Sequence, residues 1–211
     1  MSAEAVAAPV AMHRMLPPEE AARGDFYALL ARLLQAPPDG RLLAQLGSAP
    51  SLPEGADASL ALAWQNLVDA SSVMDGDAAA EEYEKLFVGI GKAAVSVYAG
   101  FYSGAPSIDH PRVRIQAELA ALGLSRPASA VEPEDHYGGL LEVMRVLVAG
   151  GAGRAPAPLA EQRRFFEAYL KPGLARFFEA LGCAPDANYY QNVAGVGAAF
   201  IALESESFQL D

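Results

Sequence analysis

Two Asp-His pairs, Asp109-His110 and Asp135-His136, are the groups in this 211-residue sequence best suited to acid–base or metal chemistry. An imidazole beside a carboxylate can relay a proton, and two such pairs can ligate a metal. The surrounding spacing supports neither use. No histidine has a glutamate three residues before it, as a di-iron helical bundle requires, and His-Glu-x-x-His is absent. There is no Gly-x-Ser-x-Gly elbow, phosphate-binding P-loop, Gly-x-Gly-x-x-Gly or Cys-x-x-Cys-His, and Gly89-Ile90-Gly91 is too short to cradle a nucleotide. The lone Cys183 has no neighbouring histidine or cation in the sequence and reads as a buried, inert thiol. His13 lies in a leading Ala-rich stretch. The Asp-His pairs therefore read first as polar groups at helix starts. The alternative is a metal-dependent enzyme using Asp109, His110, Asp135 and His136. No cofactor is called for.

The elements that must position these residues are helical. Phe26, Leu29, Leu30, Leu33 and Leu34 form an i, i+3, i+4, i+7, i+8 stripe between Pro17-Pro18 and Pro37-Pro38, which predicts a helix near 19–35. A short helix over 39–46 precedes a Pro/Gly/Ser stretch at 47–56. Leu60, Trp64, Leu67 and Val68 set another helical face, and Tyr83, Leu86 and Phe87 a further one. After Phe87 the periodicity stops. Residues 88–110 carry glycines together with Tyr98, Phe101 and Tyr102, and a loop this long inside a compact domain is more often functional than incidental.

Helix resumes at Pro111 and runs to Gly123, a glycine suited to a C-cap. Tyr137, Leu140, Leu141, Met144, Leu147 and Val148 share one face of the next helix, with Pro133, Glu134 and Asp135 expected in its first turn. The Gly/Pro segment 149–158 reads as a linker that can act as a hinge. Helices over about 159–170, 172–182 and 186–206 complete the chain. No alternating strand pattern occurs. The expected fold is all-α, one helical domain (17–211) of eight or nine helices with a mobile tail (1–16).

Composition narrows the function. Fifteen Lys+Arg against 26 Asp+Glu give a formal net charge of −11. That field repels nucleic acid and suits a partner with a basic segment. A single cysteine excludes a disulfide framework and fits a reducing compartment. No uncharged apolar run is long enough to span a bilayer, and the start lacks the basic region of a signal peptide. The expected location is cytoplasmic.

EYEKLFVG (82–89), the aromatic loop after it and EPEDHYGGLLEVM (132–144), in that order and spacing, resemble the TorD/DmsD family of redox-enzyme maturation chaperones. FYALLARLL near the start, QRRFFEAYLKP at 162–172 and the helix after Tyr189 extend the resemblance to about residues 20–206. It implies an all-helical cytoplasmic chaperone without catalytic turnover. The implied partners are the twin-arginine signal peptide and the body of an apo-molybdoenzyme subunit, held until its cofactor is inserted. It also implies that Asp135 and His136 belong to a signal-binding region, with Tyr83, Leu86 and Phe87 as its apolar wall and Tyr98 and Tyr102 as loop aromatics. The sequence departs from the family in one place: Ile90 stands where a proline is expected, and residues 90–102 contain none.

The residues themselves suit such a client. A twin-arginine signal joins a basic region to an apolar, helix-prone stretch. The stretch needs a groove, for which Leu86, Phe87, Tyr98 and Leu140 are candidates. The arginines need carboxylates, for which Glu132, Glu134 and Asp135 are candidates. His136 can hydrogen-bond a peptide carbonyl or cap local structure. A monomer is expected, with exchange of the C-terminal helices across 149–158 as a route to a dimer. A helical adaptor for another partner shares all of these features.

Overall fold

A computed structural model of the chain describes residues 16–89, 93–102, 111–124, 132–151 and 153–210. The Asp109-His110 pair, Ile90 and most of the leading tail lie outside them. The described residues form α1 (Pro18–Gln35), α2 (Gly40–Gly47), α3 (Ala58–Val73), α4 (Gly76–Tyr83), α5 (Ala99–Tyr102), α6 (Pro111–Ala121), α7 (Tyr137–Ala149), α8 (Leu159–Phe165), α9 (Leu174–Gly182) and α10 (Tyr189–Leu210). Among them no strand occurs, only the isolated bridges Tyr98 to His136 and Gly151 to Arg154. The all-α expectation holds. The additional helix is α5, a single turn inside the aromatic loop. α4 and α8 each run on into one π-helical turn, Glu84–Val88 and Phe166–Leu170.

Local chemistry explains where the helices begin. Asp39, Asp57 and Asp75 each accept a hydrogen bond from a first-turn N–H, satisfying donors that have no partner within their own helices. Three starts differ from expectation: α10 begins at Tyr189 rather than near 186, and α7 and α9 are displaced as well. α7 begins at Tyr137 rather than including Pro133, Glu134 and Asp135, because the His136 N–H closes a turn onto the Pro133 carbonyl. His136 itself is the N-cap, its Nδ1 accepting from the Gly138 N–H at 3.0 Å. α9 begins at Leu174, two residues after Pro172.

The core is built by α1 lying antiparallel on α7 and by α10 packing on α3 and α9. Tyr27, Leu30, Leu33 and Leu34 of α1 meet Leu140, Leu141, Met144 and Leu147 of α7, all buried. The helices approach closely where glycine permits it: a Cβ on Gly197 of α10 would lie 2.3 Å from the Phe178 ring of α9. Two buried carboxylates lock this frame. Glu82 accepts from the N–H groups of Asn188, Tyr189 and Tyr190 at 2.9, 3.0 and 2.7 Å, capping α10 from a distant helix. Glu204 takes a bidentate guanidinium from Arg23 at 2.7 and 2.8 Å and the Tyr27 hydroxyl at 2.7 Å, tying α10 to α1. The Gly/Pro stretch after α7 doubles back on that helix, with Ala157 N–H on the Leu147 carbonyl.

Candidate functional site

The aromatic loop is fastened to the frame at three places. Gly89, at φ 63°, ends the π-turn after α4 in a left-handed conformation that a side chain would strain. The chain then returns so that Val95 N–H reaches the Leu86 carbonyl at 2.9 Å. Further on, Tyr98 bridges to His136: Ala99 N–H donates to the Asp135 carbonyl at 2.8 Å, and Tyr137 N–H to the Val97 carbonyl at 2.9 Å. The third fastening is at α9. Arg176 Nη2 donates to the carbonyls of Tyr102 and Pro172, closing the C-terminal end of α5. Gly173 lets α5 sit this near, since a Cβ there would lie 2.8 Å from the Tyr102 Cβ.

Between this loop and the end of α9 lies an apolar cleft of about 550 Å³, with Phe87, Val97, Tyr98, Tyr102 and Ala184 in its walls. Phe101 stands at its rim with 71% of its surface exposed. A phenyl ring left in water forgoes burial energy of about 2 kcal/mol, and this one stands beside an apolar cleft. Cys183 also lines the cleft and is exposed. This corrects the expectation of a buried thiol: Cys183 is the C-cap of α9, and a helix end at the surface turns its side chain outward.

An acidic edge adjoins the cleft through Tyr98. The Tyr98 hydroxyl donates to Glu132 Oε2 at 2.8 Å, while its ring meets the His136 ring edge-on at 5.6 Å. Partial burial and that carboxylate push the Tyr98 phenol up to about 12. Burial, with Glu132 and Glu84 nearby, likewise pushes Tyr83 up to about 12. Asp135 is buried: its Oδ2 lies 3.4 Å from the Gly100 N–H and its Oδ1 3.9 Å from Arg112 Nε. Glu134 Oε2 lies 3.5 Å from Arg112 Nη2. Burial also pushes the His136 imidazole below its ordinary value, with Glu132 and Asp135 opposing. With Nδ1 accepting from Gly138, His136 is a neutral cap whose proton sits on Nε2.

The ten residues singled out from the sequence thus separate into layers. Phe87, Tyr98 and Tyr102 meet in the cleft. Glu132, Glu134, Asp135 and His136 form the adjoining edge. Leu86 and Leu140 are wholly inside the core and do not line the cleft, which corrects their assignment to its wall, and the buried Tyr83 donates from its hydroxyl to the Leu34 carbonyl. Sequence reasoning missed the outward projection of Phe101, the cleft position of Cys183, and Arg112 and Arg176. An aromatic in an aperiodic loop carries no signal of the side it faces. Among the described residues no group of three or more His, Cys, Asp or Glu is placed to hold a metal, and no helix is long and apolar enough to cross a membrane.

The comparisons with known proteins point one way. The family model described as nitrate reductase delta subunit matches residues 53–179, more than half of the chain. A solved chain from Archaeoglobus fulgidus, assigned to redox enzyme maturation, shares the fold with a TM-score of 0.54 at 16% identity. That match covers 90% of this chain and 98% of the other. No curated protein matches the sequence significantly.

Proposed function

Because this chain belongs to the nitrate reductase delta subunit family, and so to the redox-enzyme maturation chaperones of the TorD/DmsD type, we propose that the cleft and its acidic edge receive the twin-arginine signal peptide of a molybdenum oxidoreductase subunit. The protein is a chaperone and not an enzyme. On the proposed reading it acts in the cytoplasm, on a client whose body is still without its cofactor, and delays export until insertion is complete.

The observation that carries the reading is the juxtaposition of two chemistries. An apolar cleft with an exposed phenylalanine at its rim is joined through the Tyr98 hydroxyl to Glu132, in the same short segment as Glu134 and Asp135. The apolar stretch of a signal peptide suits the first and its paired arginines the second. The net charge of −11 would speed encounter with such a cation-led segment. Asp135 and His136 support the site from within. The Asp135 carboxylate faces the Gly100 N–H in α5 and its carbonyl holds Ala99, while His136 caps α7, so both side chains bear on where Tyr98 and Phe101 stand.

Calorimetric titration with twin-arginine signal peptides of molybdoenzymes encoded near this gene tests the reading. Saturable binding is expected. Asp135→Ala combined with His136→Ala should weaken it by tenfold or more, taking about 1.4 kcal/mol per decade, while helix content stays unchanged. Phe101→Ser, on an exposed side chain, should weaken it without touching the frame. Failure of every such peptide to bind would overturn the proposal.

A further inference from the structure

Arg112 makes an ion pair unlike those that hold helices together. The Arg23–Glu204 pair closes to 2.7 Å and the Arg164–Glu118 pair to 2.6 Å, both bidentate. Arg112 instead stands 3.5 Å from Glu134 and 3.9 Å from Asp135, beyond good hydrogen-bond length. In exposure the pair resembles Arg164–Glu118, where the cation is 54% exposed and the carboxylate 12%, so the difference lies in the distances. The Asp135 side chain is 5% exposed and that of Glu134 15%, whereas Arg112 is 46% exposed. Carboxylates withdrawn from water need a cation close by. Here one comes from a side chain half in solvent and short of bidentate contact.

We propose that Arg112 is an internal stand-in for a client's arginine, covering Glu134 and Asp135 until a guanidinium of the bound peptide displaces it. This rests on the reading of the cleft given above and adds a competition to it. A peptide guanidinium that reaches these oxygens at bidentate distance makes the stronger, shorter bond. Arg112 can leave without unfastening α6, because the far end of that helix stays tied by Glu118 to Arg164. The place is tied to the cleft-lining loop: the Asp135 carbonyl holds Ala99 at the start of α5, two residues before the rim phenylalanine. The stand-in would keep buried carboxylates neutralised in the empty chaperone and would select against peptides whose cations cannot replace it.

The test uses the full chain, Arg112→Gln, and two synthetic peptides with the same apolar stretch, one led by Arg-Arg and the other by Lys-Lys. Both peptides carry the same charge, so the loss of one positive charge from the protein acts equally on them. Removing the stand-in should tighten the Arg-Arg peptide by about threefold to tenfold, a range set by weak half-exposed pairs and charge-assisted bonds. The Lys-Lys peptide, a point charge without the fork, should change by about twofold or less. Arg112→Lys should fall between wild type and Arg112→Gln. Wild-type binding with equal tightening of both peptides, or with no tightening of Arg-Arg, overturns the stand-in and leaves the cleft reading intact. No binding of either peptide to wild type or variant overturns both.

Discussion

The contacts of α10 with α1 and α4 and the edge between α5 and α7 both withdraw carboxylates from water, and they satisfy them in opposite ways. On the first, Glu204 is met by a bidentate guanidinium and a hydroxyl, and Glu82 by three backbone N–H groups, all at 2.7–3.0 Å. On the second, the Arg112 contacts to Glu134 and Asp135 are long, and Phe101 of α5 faces water. The first arrangement is closed and serves stability. The second has its one described cation at long range, which on the proposed reading is where a client's guanidinium would bind.

The contrast can be broken most sharply from the closed side. Glu204→Ala would leave Arg23 and the Tyr27 hydroxyl buried without their shared acceptor, and a loss of about 3–5 kcal/mol in chemical denaturation is expected. A loss below about 1 kcal/mol would show that water replaces the carboxylate and that the face is not closed. Glu82→Ala should cost about 3 kcal/mol, read by the same denaturation, since it strips the cap from α10.

A smaller effect is expected from His136, which joins the two regions. Its imidazole is held below the unfolded value of about 6.5, so the unfolded chain binds the extra proton first as pH falls. The contribution of His136 is therefore complete above about 6.5 and declines as pH drops from there toward the lowered folded value. His136→Asn keeps a capping acceptor without a titrating group and should flatten the slope of stability against pH in this window. An unchanged slope would place the proton uptake elsewhere. The smallest stability effect belongs to the open side: Phe101→Ser should stay within about 0.5 kcal/mol of wild type, although peptide binding falls. A large destabilisation would mean that the ring belongs to the frame.

The frame was largely legible. The stripe from Phe26 to Leu34 and the face from Tyr137 to Val148 repeat at helical spacing, and both helices stand where that spacing puts them. α5 was not legible, because a four-residue turn has too few side chains to show a period. It is held by partners far away in sequence, Asp135 at its start and Arg176 at its end. The start of α7 misled for a related reason. Pro133, Glu134 and Asp135 are the residue types that favour a first helical turn, yet they form the turn before it, with histidine as the cap.

The site was half legible. Its aromatic and acidic residue types stand out in the sequence, but their layers do not. Leu86 and Phe87 are neighbours on one π-turn, yet the first is core and the second reaches the cleft. By itself the sequence determined the helices, the acidic field, the absence of catalytic motifs and the aromatic character of the loop. These follow from residue type and short-range period, which survive in any context. Only the tertiary structure decided that Cys183 opens onto a cleft, that Phe101 faces water and that Arg112 stands over Glu134 and Asp135. Those are contacts between segments distant in the chain or choices of facing within an aperiodic loop, and no local pattern encodes either.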